Sequence, residues 1–119
     1  SAKAVDIDDK CLTVAYENAA LNGVGKEHYT VRAGDVLSDK RLQKEFGGDY
    51  DVIVANIVAD VIIRLAPLAK GYCKPSAPFI VSGIIDERRD EVLAALRAAG
   101  FTVEDMKNAE GWNAILSRA

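Results

Sequence analysis

The sequence predicts an α/β protein built on a mostly parallel sheet that closes with an antiparallel hairpin. Three observations lead there. Short β-branched runs alternate with longer stretches of helical period, the pattern of strand–helix–strand repeats. The run Val52-Ile53-Val54-Ala55 has no polar alternation, as a central strand covered on both faces would have. Near the end, two strand-like segments are joined by a polar piece too short for a crossover helix.

In chain order, Ala4, Val5 and Ile7 form a short strand ending in acids, and Asp8 can cap a helix running to about Leu21. Leu12, Ala15, Tyr16 and Ala19 would be its buried face, and Asn22-Gly23 closes it. Tyr29 to Ala33 reads as a second strand. Gly34 and Asp35 open a polar stretch through Phe46, read as a loop with a short exposed helix that Gly47-Gly48 ends. After the Val52–Ala55 strand, Val58, Val61, Ile62, Leu65 and Leu68 repeat at helical spacing, with a kink expected where Pro67 removes a backbone donor. Phe79, Ile80 and Val81 return to the sheet. Asp86 to Ala99 is the clearest helix, with acids in its first turn, Val92, Leu93 and Leu96 on one face and Gly100 as its stop. Phe101–Met106 and Trp112–Ser117 are the closing strands, with Lys107 to Gly111 between them.

The 119 residues, half of them apolar, suit a single domain over 1–119 with a modest core. A net charge of -3, with lysines and arginines scattered among acids, disfavours direct nucleic-acid binding. Cys11 and Cys73 stand in no metal-ligand spacing, and two isolated thiols fit a reducing cytosol. No apolar run is long enough to span a membrane and no signal pattern opens the chain, so a soluble cytoplasmic protein is expected.

In an open α/β sheet, ligands bind beyond the carboxyl ends of the strands, which directs attention to Asp6 to Asp8, Asp35, Asn56 and Ser82-Gly83. The two oxygens of a strand-end acid such as Asp6 match the spacing of a ribose cis-diol, although Asp6 and Asp8 could equally cap the following helix. Asp35 could accept a hydrogen bond from an adenine amine, or simply form a turn after Gly34. Asn56 is out of pattern between an apolar strand and an apolar helix. Its amide offers an acceptor and donors that could orient a substrate amine, and a buried Asn satisfied by backbone is the competing reading. His28 has no acid or serine arranged around it and reads as a surface residue. Cys11 reads as a small core residue, and Trp112 as core or sheet edge. Ser82-Gly83 lacks the glycine pattern of a nucleophile elbow.

Together these residues resemble the methyltransferases that trimethylate amines on protein L-eleven of the large ribosomal subunit. The resemblance rests on Val5-Asp6-Ile7-Asp8, Glu17-Asn18-Ala19, Asn22-Gly23-Val24, Tyr50 to Ala59 (YDVIVANIVA), Leu65-Ala66-Pro67, Lys74-Pro75, Ser82-Gly83-Ile84, Ala98 to Phe101 and Trp112. YDVIVANIVA is the specific part, since class I methyltransferases acting on planar nitrogens carry Asn-Pro-Pro-aromatic there. The resemblance implies a Rossmann-like class I methyltransferase sheet using S-adenosylmethionine and no metal. Asp6 and Ile7 would serve the cofactor ribose, and Asp35 and Val36 the adenine. Asn56 would touch the cofactor near its transferable methyl and act on the incoming amine. The substrate would be a large-subunit ribosomal protein.

The family places a strand and a glycine-rich loop immediately before Val5-Asp6, whereas the chain opens at Ser1. The expectation is therefore an incomplete catalytic domain with its first strand missing. That strand belongs between the strands ending at Asp6 and Asn56, so two exposed edges are expected, open to direct pairing, to a second chain or to a longer polypeptide. Ser76-Ala77-Pro78 also replaces the family's glycine pair after Lys74-Pro75. The alternatives are a fragment of a nicotinamide-dependent oxidoreductase, where a strand-end acid also serves a ribose, and a non-enzymatic Rossmann-like module.

Overall fold

The computed structural model describes residues 2–6, 11–23, 25 and 29–119, with Asp6, Cys11, Leu12 and Tyr29 described by backbone alone. Two compact units form, Ser1–Gly47 and Gly48–Ala119.

In the first unit, β1 (Ala2–Asp6) and β2 (Tyr29–Ala33) pair in parallel, with Asp6 opposite Ala33. Helix α1 (Cys11–Leu21) turns Ala15, Tyr16 and Ala19 inward, the face expected from spacing. The Tyr16 hydroxyl accepts a hydrogen bond from the Val31 backbone N–H at 3.0 Å, fixing the helix to the strand. The expected cap Asp8 and the strand residue Ile7 lie outside the described residues, as does His28. Helix α2 (Lys40–Phe46) is capped by Asp39, whose carboxylate accepts from the N–H groups of Arg41 and Leu42, satisfying two donors the helix cannot. It is not simply an exposed helix: Leu42 and Phe46, four residues apart on one face, are both buried.

In the second unit the strand order is β3 (Ile53–Asn56), β4 (Pro78–Ile85), β6 (Trp112–Arg118), β5 (Thr102–Ala109). The β3–β4 pair is parallel and the other two pairs are antiparallel. One sheet face packs against α3 (Ala59–Tyr72) and α4 (Arg89–Ala98), burying Ala55, Ile62, Phe79, Val81, Leu96, Phe101 and Ile115 in one cluster. Phe79 and Phe101 meet with ring centroids 5.0 Å apart, an ordinary tilted aromatic contact. Helix α3 runs on through Pro67. A single 3-10 turn, Asp86–Arg88, leads into α4.

Two expectations are corrected. The Val52–Ala55 run does make a strand, shifted by one residue and at the edge of its described sheet, but it is not covered on both faces: Val54 is 63% exposed. Apolar content reports strand propensity; it does not report which faces acquire neighbours. The closing hairpin is also longer than its polarity suggested. Its connection shrinks to Glu110-Gly111, both with positive φ (53° and 84°), the signature of a two-residue type I′ turn whose twist suits a hairpin. Most of Lys107 to Gly111 is therefore strand, and its side chains are polar because that end of β5 is exposed.

At Lys74-Pro75-Ser76-Ala77, the Ala77 N–H donates to the Lys74 carbonyl at 3.0 Å and Ser76 has φ 63°. This is a turn whose third position favours glycine, at the place where the resembling family carries a glycine pair.

Candidate functional site

Parallel pairing carries Asp6 to the carboxyl end of β1, level with Ala33 at the end of β2, and Asp35 follows two residues later. Both acids therefore leave the same end of the two-stranded sheet. Asp35 does form the turn expected as its alternative role. Its Oδ1 accepts from the Leu37 N–H at 3.0 Å, and its carbonyl accepts from Ser38 and Asp39. That turn engages one carboxylate oxygen and aims the group rather than consuming it. The Val36 carbonyl accepts from Gln43 Nε2 at 2.7 Å, so α2 holds the loop through Asp35 and Val36. Gly34, with φ 152°, lies where an added Cβ would come within 3.0 Å of Leu42 Cδ2, which lets that loop close against α2.

Asn56 ends β3, opposite Ser82 of the parallel neighbour β4. It shares an exposed strand face with Val54 and is itself exposed, so it is not a buried residue satisfied by backbone. Among the described residues no hydrogen bond engages its amide. Gly83, just past Ser82, was within the strand-end set marked by sequence, but its contact with Asn56 was not foreseen. A Cβ built there would lie 2.6 Å from Asn56 Oδ1.

Beyond Asn56, α3 begins at Ala59 and is tied down at its first turn. The Arg88 guanidinium donates to Asp60 Oδ1 at 2.5 Å and to both carboxylate oxygens of Glu91, linking the starts of α3 and α4. Hydrogen bonding and charge from Arg88 hold the Asp60 carboxyl below the usual carboxylate range, and Asp60 and Glu91 in turn raise the arginine.

Other chemistry is scarce. Burial pushes the free Cys73 thiol up, away from the thiolate form. Among the described residues no group of three or more His, Cys, Asp or Glu could hold a metal ion, and no helix is long and apolar enough to cross a membrane. Trp112 is exposed at the start of β6, an interior strand.

The family model described as "Ribosomal protein L11 methyltransferase (PrmA)" matches residues 1–119. The chain belongs to this family. A ribosomal protein L11 methyltransferase from an Exiguobacterium species is 43% identical over 118 residues, which is 99% of this chain and 36% of that relative. The solved ribosomal protein L11 methylase from Lactobacillus delbrueckii subsp. bulgaricus superposes with a TM-score of 0.85 at 30% identity, covering 98% of this chain and 57% of that one. At the level of fold alone, an RNA methyltransferase from Salinibacter ruber, solved with S-adenosyl-L-homocysteine, has a TM-score of 0.66 at 16% identity, covering 98% of this chain and 63% of that one. The class I methyltransferase fold expected from sequence is thus shown. The chain spans about a third of the length of the curated L11 methyltransferases it matches.

Proposed function

We propose that this chain carries the ribose, adenine and amine-side residues of an S-adenosylmethionine-dependent methyltransferase that modifies amines of a large-subunit ribosomal protein. Asn56 carries the proposal: an exposed amide without a hydrogen-bond partner among the described residues, at a carboxyl-terminal strand end, in a chain of this family. The residues fit an adenosine cofactor by their chemistry. Asp6, with Ile7 beside it, supplies a carboxylate for the ribose diol. Asp35, one oxygen anchored by its own turn, supplies an acceptor for the adenine amine, beside Val36.

When bound, the cofactor supplies a methyl group activated by its sulfonium. The protein's share is positioning. The Asn56 Oδ1 accepts an N–H of the neutral substrate amine and turns the nitrogen lone pair toward the methyl carbon, so a bimolecular encounter becomes a reaction of oriented partners. The cofactor would supply both the methyl carbon for the new carbon–nitrogen bond and the sulfur that keeps the electron pair of the broken one. A ribosomal protein substrate would fit the cytoplasmic location expected from sequence.

The test uses a polypeptide of the length of the curated relatives. Calorimetric titration should give binding heat with S-adenosylmethionine and none with a reduced nicotinamide dinucleotide; the reverse result would make the chain an oxidoreductase fragment. Asn56→Ala should cut methyl incorporation into the ribosomal protein by about a hundredfold, the scale for misplacing a reacting group. An unchanged rate removes Asn56 from the site.

A further inference from the structure

We infer that Gly83 is a positioning residue for Asn56, its missing side chain being what allows the amide to lie where the amine reading requires it. This rests on the role proposed above for Asn56. The two residues are 27 positions apart in sequence and are brought together by the parallel β3–β4 register, in which Asn56 faces Ser82. The pairing of β4 with β6 then shifts between Val81 and Ile84, and Gly83 sits inside that irregularity with φ 80°.

An added Cβ at Gly83 would stand 2.6 Å from Asn56 Oδ1, 3.8 Å from its Cγ and 3.6 Å from the Ile57 carbonyl oxygen. The first distance is shorter than carbon and oxygen tolerate; the other two are ordinary contacts. The conflict therefore falls on the amide oxygen alone, and the amide is what must turn. No hydrogen bond within the described residues would hold it against that turn. The missing side chain of Gly83 thus leaves free the position that Asn56 Oδ1 occupies. The competing account is that glycine merely supplies the left-handed conformation that a strand irregularity uses, with Asn56 a bystander.

A double-mutant cycle separates the two, because backbone strain at position 83 is present whatever stands at 56, whereas the steric conflict needs the Asn56 amide. Four forms of the relative-length polypeptide are compared: parent, Gly83→Ala, Asn56→Ala and both together. Gly83→Ala should slow methyl transfer about tenfold or more. In the Asn56→Ala background the same change should alter the rate by less than about twofold. Equal losses in both backgrounds overturn the inference.

In the 119-residue chain, the side-chain amide NMR signals of Asn56 should move on Gly83→Ala; unmoved signals also overturn it. If Asn56→Ala alone leaves the rate intact, the proposed function fails while the NMR signals still decide the contact. Gly83→Asn brings the same Cβ on a residue that tolerates positive φ, and it takes over every measurement should the alanine form not fold.

Discussion

Replacing Asn113 by Ala tests how the closing hairpin is fastened to the rest of its unit. Asn113 is 3% exposed, and its Nδ2 donates to the Ile84 carbonyl at 3.1 Å and to Asp86 Oδ1 at 2.8 Å. Its Oδ1 accepts from Asn108 Nδ2 at 3.1 Å. Truncation removes all three bonds, but they are not equal. Asp86 and Asn108 are exposed and water replaces what they lose, whereas Ile84 is fully buried and its carbonyl loses this donor inside the core. A lost buried hydrogen bond costs about 0.5–1.5 kcal/mol and the emptied side-chain volume adds to it, so a loss of about 2 kcal/mol is expected. For a unit of this size that lowers Tm by about 10 °C. Urea titration followed by Trp112 fluorescence measures it, since Trp112 is the only tryptophan and adjoins the site. The control Asn108→Ala loses the exposed bond to Asp86 and the part-buried one to Asn113 Oδ1, and should cost about 1 kcal/mol, roughly half the loss at Asn113. A loss below about 0.5 kcal/mol for Asn113→Ala, or equal losses for the two variants, would refute the reasoning.

Ser76→Gly should raise stability by about 0.5 kcal/mol, because relief of a non-glycine residue at positive φ exceeds the added freedom of the unfolded chain; an unchanged or lower urea midpoint would show that Ser76 is not strained. The Asp60 carboxyl is depressed by Arg88, so its folded value lies below its unfolded one. The stability it contributes is present in full above the unfolded carboxylate value of about 4 and is lost as pH falls through the folded value. The gap in Tm between the parent and Asp60→Asn should therefore be largest near neutral pH and close on acidification; a gap independent of pH would dissociate Asp60 from the effect.

Element type was legible wherever local chemistry determines it. Tyr29–Ala33 reads as a strand from its own β-branched and aromatic residues, and the structure matches it end to end. What sequence could not supply was neighbourhood. The unbroken apolar run around Val54 looks the same whether or not another layer covers it, which is why a strand bare on one face resembled one covered on both. In the polar stretch after Gly34, only the spacing of Leu42 and Phe46 hinted at a buried helix face, and Lys40, Arg41, Lys44 and Glu45 masked it. Asn56 was visible because it interrupts an apolar pattern. Its contact with Gly83 depends on strand register, a long-range property that no local spacing encodes.

Among the described residues, burial is divided unevenly between the two units. The apolar cluster from Ala55 to Ile115 lies wholly within Gly48–Ala119, whereas the described buried apolar residues of Ser1–Gly47 are Val31, Leu42 and Phe46. Amide hydrogens of β1 and α1 should therefore exchange with solvent well before those of β4 and β6, through local openings that leave the larger core intact. A ligand gripped at Asp6 or Asp35 would close those openings first. Site-resolved exchange in the first unit is then a more sensitive reporter of cofactor binding than any melting midpoint, which follows the larger core.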